Sequence, residues 1–283
     1  MGTLFRIVIH TQDEAAGRVA IGRAFQRAAE LDQKLSDYKP GSELNRFCRS
    51  AFGTPVVVSD DLFQVVQTSL GISRQTGGAF DVTLGPLTQL WRAAKKSGNL
   101  PSHAEILEAR KRTGYKNIKV DKRKKTLTLL KPHMQLDLGG IAKGYAADQM
   151  FAVLIAAGFP RALVAASGDI RAGEPPPGRQ GWTVQLDQQA LELRNQAVST
   201  AGPAEQYIDA QGIRYSHIID PKAGLGLTNG LTVSVIAPTG IMADGWDTAL
   251  SVLGKRGKNR FSRNVLGGRV IFFQPTTSPM ESK

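Results

Sequence analysis

The order of secondary-structure patterns along the chain constrains its fold more than any other feature of the sequence. Periodicities typical of helices lie mostly in the first part of the chain, for example at 14–34 and 140–157. Short strands separated by turns rich in Gly and Pro dominate residues 168–238. The sequence does not show the steady strand–helix alternation that builds a doubly wound parallel sheet. We therefore predict an α+β fold rather than a doubly wound sheet.

Apolar spacing and turn residues place individual elements. The helix at 14–34 is predicted to bury one face, formed by Ile21, Phe25, Ala28, Leu31 and Leu35. Ser59 is the predicted N-cap of the next helix, which Gly77 ends. Further on, a basic turn at 121–125 joins two predicted strands in a hairpin.

The length of 283 residues suits one large domain or two intimately packed ones. Because no linker is long enough to separate independent units, we expect a single domain at 1–274 followed by a polar tail at 275–283. No stretch approaches the roughly 18 to 20 apolar residues that cross a bilayer, so no membrane-spanning segment is predicted.

The chain is basic, with 36 Lys and Arg against 24 Asp and Glu and a formal net charge of +12. Such a charge attracts polyanions in general. Nucleic-acid binding is nevertheless disfavoured, because the sequence lacks helix-turn-helix, zinc-finger and aromatic ribonucleoprotein signatures. The single cysteine, Cys48, excludes a disulfide within the chain and any multi-cysteine metal site.

A glycine-rich junction at 136–146 has the composition of an anion site. A predicted strand passes through Gly139 and Gly140 into a helix whose first turn contains Lys143. Free backbone N–H groups and the positive end of the helix dipole meet there, and the lysine adds a full charge. The pattern fits a phosphate site, and it fits a tight structural connection equally well.

Two further segments contain candidate catalytic side chains. His217 lies three residues before an Asp-Pro turn, where it is either a general base or a hydrogen-bonded structural histidine. Asp244 and Thr248 are four residues apart on a predicted helix and share a face, with Asp247 near them. Their hard oxygen atoms suit Mg²⁺. The alternative is that Asp244 is an N-cap and that the other two are surface residues.

Six segments in a fixed order resemble the FAD:protein FMN transferases, the ApbE-like flavin transferase family. They are residues 37–44, 77–86, 136–146, 167–171, 216–224 and 243–250. The resemblance extends from the first residues to about residue 254 and so covers nearly the whole chain. It implies a two-lobed α+β fold with packed helices and mixed or antiparallel sheets, and with the FAD site between the lobes.

The resemblance also implies roles for individual residues. The implied FAD-binding positions are Met1, Tyr38, Ala79, Phe80, Asp81, Asp137, Lys143 and Ile218. The implied Mg²⁺ ligands are the side chains of Asp244 and Thr248 and the backbone oxygen of Gly140. His217 and Asp244 are the implied catalytic residues, with His217 as the candidate base.

The implied reaction is a Mg²⁺-dependent transfer of FMN from FAD to a threonine of an acceptor protein, with release of AMP. The acceptor would be a flavin-dependent redox or electron-transfer subunit. Two alternatives use the same site: an FAD pyrophosphatase that gives FMN and AMP, and a flavin-binding protein without catalytic activity.

Two residues depart from the family pattern, and the location of the protein stays open. Pro203 stands where relatives commonly have an acidic residue, and Asp247 stands where they often have a small one. Relatives have an export signal, often with a lipid-anchored cysteine, ahead of the motif that starts at Met1. The resemblance thus implies a periplasmic or membrane-anchored protein, whereas the absence of a signal in this sequence leaves a cytoplasmic location as the alternative.

Overall fold

The structure is a computed structural model that describes residues 3–187, 189–202, 207–210 and 212–273. Met1, Pro203 and the predicted polar tail lie outside these described residues. The helices of the described part are α1 (Glu14–Leu35), α2 (Glu43–Cys48), α3 (Asp60–Thr76), α4 (Gly85–Ser97), α5 (His103–Lys111), α6 (Ala142–Ala156), α7 (Gly240–Leu253) and α8 (Lys258–Asn264).

The strands of the described part are short and lie mostly in the second half of the chain, as predicted. They are β1 (Phe5–Ile9), β2 (Val56–Val57), β3 (Ile118–Asp121), β4 (Thr126–Leu129), β5 (Ala162–Ala166), β6 (Asp169–Ala172), β7 (Trp182–Leu186), β8 (Gln189–Leu193), β9 (Ala197–Ala201), β10 (Tyr207–Ala210), β11 (Ile213–Ser216), β12 (Thr232–Ala237) and β13 (Arg269–Phe273).

A six-stranded antiparallel sheet with the order β1-β5-β6-β9-β12-β13 is the centre of the molecule. A three-stranded sheet, β2-β4-β3, and two hairpins, β7-β8 and β10-β11, accompany it. All described strand pairs are antiparallel, and helices and strands are both well represented, which confirms the α+β prediction.

The central sheet is covered on both faces. Alternate residues of β12 enter two different cores, because successive side chains of a strand point to opposite faces. Val233 and Val235 join the core that contains Trp246 of α7. Ile236 joins the core that contains Val184 of the β7-β8 hairpin. Helices therefore cover one face of the sheet, and a hairpin covers the other.

Local signals in the sequence located most elements correctly. The Ser59 side chain accepts the Leu62 N–H at the start of α3, and Gly77 ends that helix in a left-handed conformation. The predicted face of α1 is partly wrong, because the Phe25 side chain is 41% exposed. The buried positions near it are Gly17, Ala20 and Ala24, which let α1 lie close to a neighbouring helix. No described helix combines the length and apolar character needed to cross a membrane.

Candidate active site

Helices α6 and α7 touch through their backbones at two glycines. A Cβ atom built on Gly144 would lie 2.1 Å from the Gly240 carbonyl oxygen, and one built on Gly240 would lie 2.4 Å from the Gly144 oxygen. No side chain fits at either position. The contact brings the first turn of α6, including Lys143, against the side chains of α7.

Three buried carboxyl groups meet beside this contact. Asp169 is the first residue of β6, after a tight turn in which Ser167 adopts a left-handed φ of 57°. Asp244 and Asp247 come from consecutive turns of α7, and one oxygen from each of the three lies within 4.8 Å of the others. Each of these residues is at most 3% exposed. We refer to Asp169, Asp244 and Asp247 as the acidic cluster.

The ammonium group of Lys143 partly neutralises the acidic cluster. Its Nζ lies 2.7 Å from Asp169 Oδ2 and 3.3 Å from Asp244 Oδ1. The N–H of Gly144 donates to the other oxygen of Asp244 at 2.9 Å. The cation and one first-turn amide that suggested a phosphate site are thus already bound to carboxylates of the protein.

Burial dominates the electrostatics of the cluster. Burial raises the pKa of Asp244, the Asp169 carboxylate adds to this increase and Lys143 opposes it, so that the resulting pKa is about 7. Burial also raises the pKa of Asp247 well above its ordinary range, and Asp244 and Asp169 add to the shift. Burial alone would lower the pKa of Lys143, but the carboxylates of Asp244 and Asp169 outweigh this effect and raise it. The crowding of three carboxyl groups around one ammonium therefore disfavours their full ionisation, and an added cation would relieve this repulsion.

Around the acidic cluster, one carboxyl oxygen lacks a hydrogen bond and one serine hydroxyl is shared between two carboxyl groups. Asp247 Oδ1 is buried without a hydrogen-bond partner among the described residues. The hydroxyl of Ser199, from β9, contacts both Asp169 and Asp247. A serine hydroxyl has one proton, so it donates to one carboxyl and accepts from the other only when that carboxyl is protonated.

Thr248 and Gly140 adjoin the cluster. A Cβ atom built on Gly140 would lie 2.8 Å from Thr248 Oγ1, so this backbone segment lies directly against the threonine hydroxyl. The alternative that Asp244 is an N-cap is wrong, because Thr239 precedes the helix and Asp244 lies within it. Nor is Asp247 a surface residue, since it is 1% exposed.

The residues predicted to border the flavin lie on other elements. The Tyr38 side chain follows α1 and is 70% exposed, and the guanidinium carbon of Arg92 lies 4.0 Å from its ring centroid. Arg92 also donates to Asp37 and, at 3.2 Å, to Asp137 Oδ2. Asp137 Oδ1 accepts the N–H of Gly139 at 2.8 Å. Tyr38 and Asp137, predicted separately, are therefore joined through Arg92.

Within the predicted segment 79–81, the side chains serve the fold. Ala79 and Phe80 are buried. The carboxylate of Asp81 accepts the Thr83 N–H at 2.8 Å and the Tyr115 N–H at 2.9 Å. Burial raises the pKa of Asp81, although these hydrogen bonds oppose the shift. What this segment offers to a ligand is mainly its backbone.

His217 and Ile218 follow β11 directly. His217 is exposed, whereas Ile218 is buried. The backbone N–H of Ile218 donates to Ser216 Oγ at 3.2 Å. The segment is anchored on α4, because the indole N–H of Trp91 donates to the Gly224 carbonyl at 3.0 Å. The ring centroids of Trp91 and Tyr215 lie 5.3 Å apart.

The fold and this site define an α+β protein with a buried acidic cluster beside a helix–helix contact. The family model described as the ApbE family matches residues 1–272, and the chain belongs to that family.

Curated relatives and solved structures agree with the match. FAD:protein FMN transferases from Klebsiella pneumoniae (strain 342) and Escherichia coli (strain K12) are 34% and 35% identical to the chain over 268 residues. Each alignment covers 90% of this chain and, respectively, 77% and 76% of the relative. Among structures, a mutant of the flavin transferase ApbE from Vibrio cholerae is similar with a TM-score of 0.89 and 29% identity, over 98% of this chain and 92% of that one. The Pseudomonas stutzeri flavinyl transferase ApbE in its apo form is similar with a TM-score of 0.84 and 32% identity, over 96% and 88% of the two chains.

Sequence reasoning missed three residues of the site. Asp169 lies in the recognised segment 167–171 but was not assigned a role, although a carboxylate in a glycine turn was a usable signal. Ser199 and Arg92 gave no such signal. Their importance comes from contacts with residues that are distant in sequence.

Proposed function

We propose that this chain transfers the FMN part of FAD to the hydroxyl of a threonine in an acceptor protein, with release of AMP. Its relatives are named FAD:protein FMN transferases, which supports a flavin transferase that acts on FAD and a protein. The single observation that most supports the chemistry is the buried acidic cluster beside the α6–α7 contact. Residues 1–274 would form the catalytic domain.

The residues present fit a magnesium ion. Asp244 and Thr248 lie one turn apart on α7, and the Gly140 backbone lies against the Thr248 side chain. A carboxylate, a hydroxyl and a backbone carbonyl would supply the hard oxygen ligands that Mg²⁺ prefers. Asp247 Oδ1, buried without a partner among the described residues, is a further sign that the cluster takes up a cation. When bound, Mg²⁺ would reduce the negative charge of the pyrophosphate.

The residues of the chain would then position FAD and the acceptor. The ring of Tyr38, which is exposed, would offer a face to the flavin, and the backbone at 79–81 would border the flavin. Asp137, Lys143 and Ile218 would contact the dinucleotide, together with Met1. Phosphoryl-group transfer depends mainly on such positioning and on electrostatic stabilisation.

His217 would act as the base. The threonine oxygen attacks the phosphorus on the FMN side of the pyrophosphate, and the bond from that phosphorus to the bridging oxygen breaks. AMP takes the bridging oxygen as it leaves, and the hydroxyl proton passes to the His217 ring. An exposed histidine at the end of a strand is accessible to an incoming protein side chain. A neutral imidazole has a ring nitrogen that can accept this proton.

Product analysis tests the proposal. The protein is incubated with FAD and Mg²⁺, with and without an acceptor domain that contains a target threonine, and AMP, free FMN and protein-bound FMN are quantified. Transfer predicts that AMP forms together with protein-bound FMN and depends on the acceptor. Equal amounts of free FMN and AMP with an unmodified acceptor would instead identify an FAD pyrophosphatase. FAD that stays intact and bound to the protein in both reactions would instead identify a flavin-binding protein without catalytic activity.

A further inference from the structure

Arg92 of α4 joins two parts of the proposed FAD site that are far apart in sequence. Its guanidinium donates to Asp37, in the segment after α1, and to Asp137 Oδ2, ahead of α6. The same group lies over the Tyr38 ring, 4.0 Å from the centroid. A planar guanidinium suits this position, because it can stack on an aromatic ring and bond two carboxylates at once.

The stacking gives an exposed side chain a partner on one face of its ring. Tyr38 is 70% exposed, and the guanidinium of Arg92 lies against the ring. With one face of the ring against the guanidinium, the accessible remainder is available to a second planar group. When a ligand stacks on a ring whose position is already restrained, the side chain loses less conformational entropy on binding.

Arg92 also balances charge at this point. Burial raises the pKa of Asp37, and the nearby Asp137 carboxylate raises it further, while Arg92 lowers it. Without the arginine, these two carboxylates would repel the pyrophosphate of a dinucleotide that binds beside them. Arg92 thus favours an anionic ligand without having to touch it.

The adjacent residue of α4 gives this helix a wider role. Trp91 holds the segment that follows β11 through its hydrogen bond to Gly224. Neighbouring residues of one helix therefore fix the Tyr38 side and the His217 side of the proposed site relative to each other.

We propose that Arg92 is a positioning residue for FAD, which holds the Tyr38 ring for stacking on the flavin and neutralises Asp37 and Asp137. This role rests on the proposed function, because it takes FAD as the ligand. It does not require Arg92 to contact the reacting atoms.

Binding of FAD, measured by flavin fluorescence anisotropy without acceptor, tests the role. Arg92→Ala should raise the Kd for FAD about tenfold, the order expected from loss of one cation–π contact and its charge. At saturating FAD, the kcat for transfer should stay within roughly threefold, since uniform binding affects KM rather than kcat. Arg92→Lys, which keeps the charge but not the planar group, should give an intermediate Kd. The control is Arg18→Ala, an exposed arginine about 25 Å along α1 from its Tyr38 end, which should bind FAD like the wild type.

A double-mutant cycle separates positioning from direct contact. Arg92→Ala raises the Kd for FAD by some factor in the wild type and by another factor in a Tyr38→Ala background. If Arg92 acts through the Tyr38 ring, the factor in the Tyr38→Ala background should be smaller by about threefold or more. Equal effects in both backgrounds would overturn the role of Arg92 in holding the Tyr38 ring, and an unchanged Kd in the single variant would overturn both parts of the proposal. If the wild type binds FAD and transfers FMN while Arg92→Ala matches it, the Arg92 role alone fails. If the wild type does not bind FAD, the proposed function fails and the role fails with it.

Discussion

Lys143 and Asp169 form an ion pair, with Nζ 2.7 Å from Oδ2, although Lys143 lies in the first turn of α6 and Asp169 begins β6. The same ammonium reaches Asp244 at 3.3 Å. Lys143 therefore neutralises part of the negative charge of the cluster to which we assign the metal. Because Asp247 adds a third carboxyl group, one lysine cannot neutralise the cluster when all three groups are ionised. A divalent cation at Asp244 would complete the neutralisation and leave Lys143 paired with Asp169.

The metal assignment is tested by Asp244→Asn. The amide can still accept the Gly144 N–H, so the contact at the start of α6 is retained. Loss of the charged ligand should reduce Mg²⁺-dependent turnover of FAD about a hundredfold or more. Steady-state rates at increasing Mg²⁺, with circular dichroism to verify folding, provide the measurement.

The matched control for this substitution is Asp13→Asn. Asp13 is an exposed N-cap of α1 that accepts the Ala16 N–H, and asparagine caps a helix equally well. It should leave the rate unchanged. A folded Asp244→Asn variant with wild-type turnover would refute the metal assignment.

A second prediction concerns how α7 is held in place. Asp148 of α6 accepts the Gly240 N–H at 2.7 Å and the Ile241 N–H at 2.9 Å, so it caps α7 from another helix. Asp148→Ala leaves both amides without this partner and should lower the free energy of unfolding by about 1–3 kcal/mol. Urea denaturation measures the change. Asp148→Asn keeps one acceptor oxygen, so its free energy of unfolding should lie between those of the wild type and Asp148→Ala. Wild-type stability of Asp148→Ala would show that the cap contributes nothing.

Asp61 should make stability depend on pH in the acid range. Burial would raise the pKa of Asp61, but hydrogen bonds from Arg27, Lys34 and Tyr145 outweigh it and lower the pKa to about 2. Since the pKa of an unfolded aspartate is about 3.9, the ionised group stabilises the fold above about pH 4 and loses this effect as the pH falls towards 2. The stability difference between wild type and Asp61→Asn should be roughly 2 kcal/mol at pH 6 and smaller at pH 3.

Asp60→Asn is the control for the acid range, because the neighbouring Asp60 side chain is 79% exposed and pairs with Lys125 at the surface. A surface pair of this kind contributes little. Guanidinium unfolding curves at several pH values compare the variants. A difference for Asp61→Asn that does not change between pH 6 and pH 3 would contradict the assignment.

Cys48 should be a slow thiol in the folded protein. Burial raises its pKa to about 11, although the Leu136 N–H donates to its sulfur at 3.3 Å. At pH 8 about one thiol in a thousand would be ionised, compared with about one in four for a free cysteine of pKa 8.5. Labelling with a thiol-specific disulfide reagent should thus be very slow in buffer and fast in denaturant. Equal rates in both would show that the thiol is exposed.

The parts of the fold that short-range chemistry controls were predictable. The cap at Ser59, the end of α3 at Gly77 and the strand at 162–166 lie where turn residues and apolar runs place them. The packing of α1 was not predictable from periodicity alone. A close helix–helix contact favours small residues such as Ala20 over the larger Phe25, and periodicity does not report what lies opposite a helix.

The candidate site divides in the same way. Asp244, Thr248 and Lys143 came from local spacing and from the family resemblance, and the structure brings Lys143 and Asp244 together. The arrangement around them depends on long-range pairing, since Asp169 and Ser199 reach the cluster only when β6 pairs with β9. Arg92 depends on α4 packing between two loops, which no local pattern in the sequence encodes.

The central claim is covalent transfer of FMN to a protein hydroxyl, and the mass of the acceptor tests it most directly. The protein is incubated with FAD, Mg²⁺ and a threonine-bearing acceptor domain, and the acceptor is analysed by intact and peptide mass spectrometry. We predict an added mass equal to FMN less one water, located on a threonine peptide and absent when Asp244→Asn replaces the wild type. An acceptor of unchanged mass after FAD has been consumed would contradict the claim.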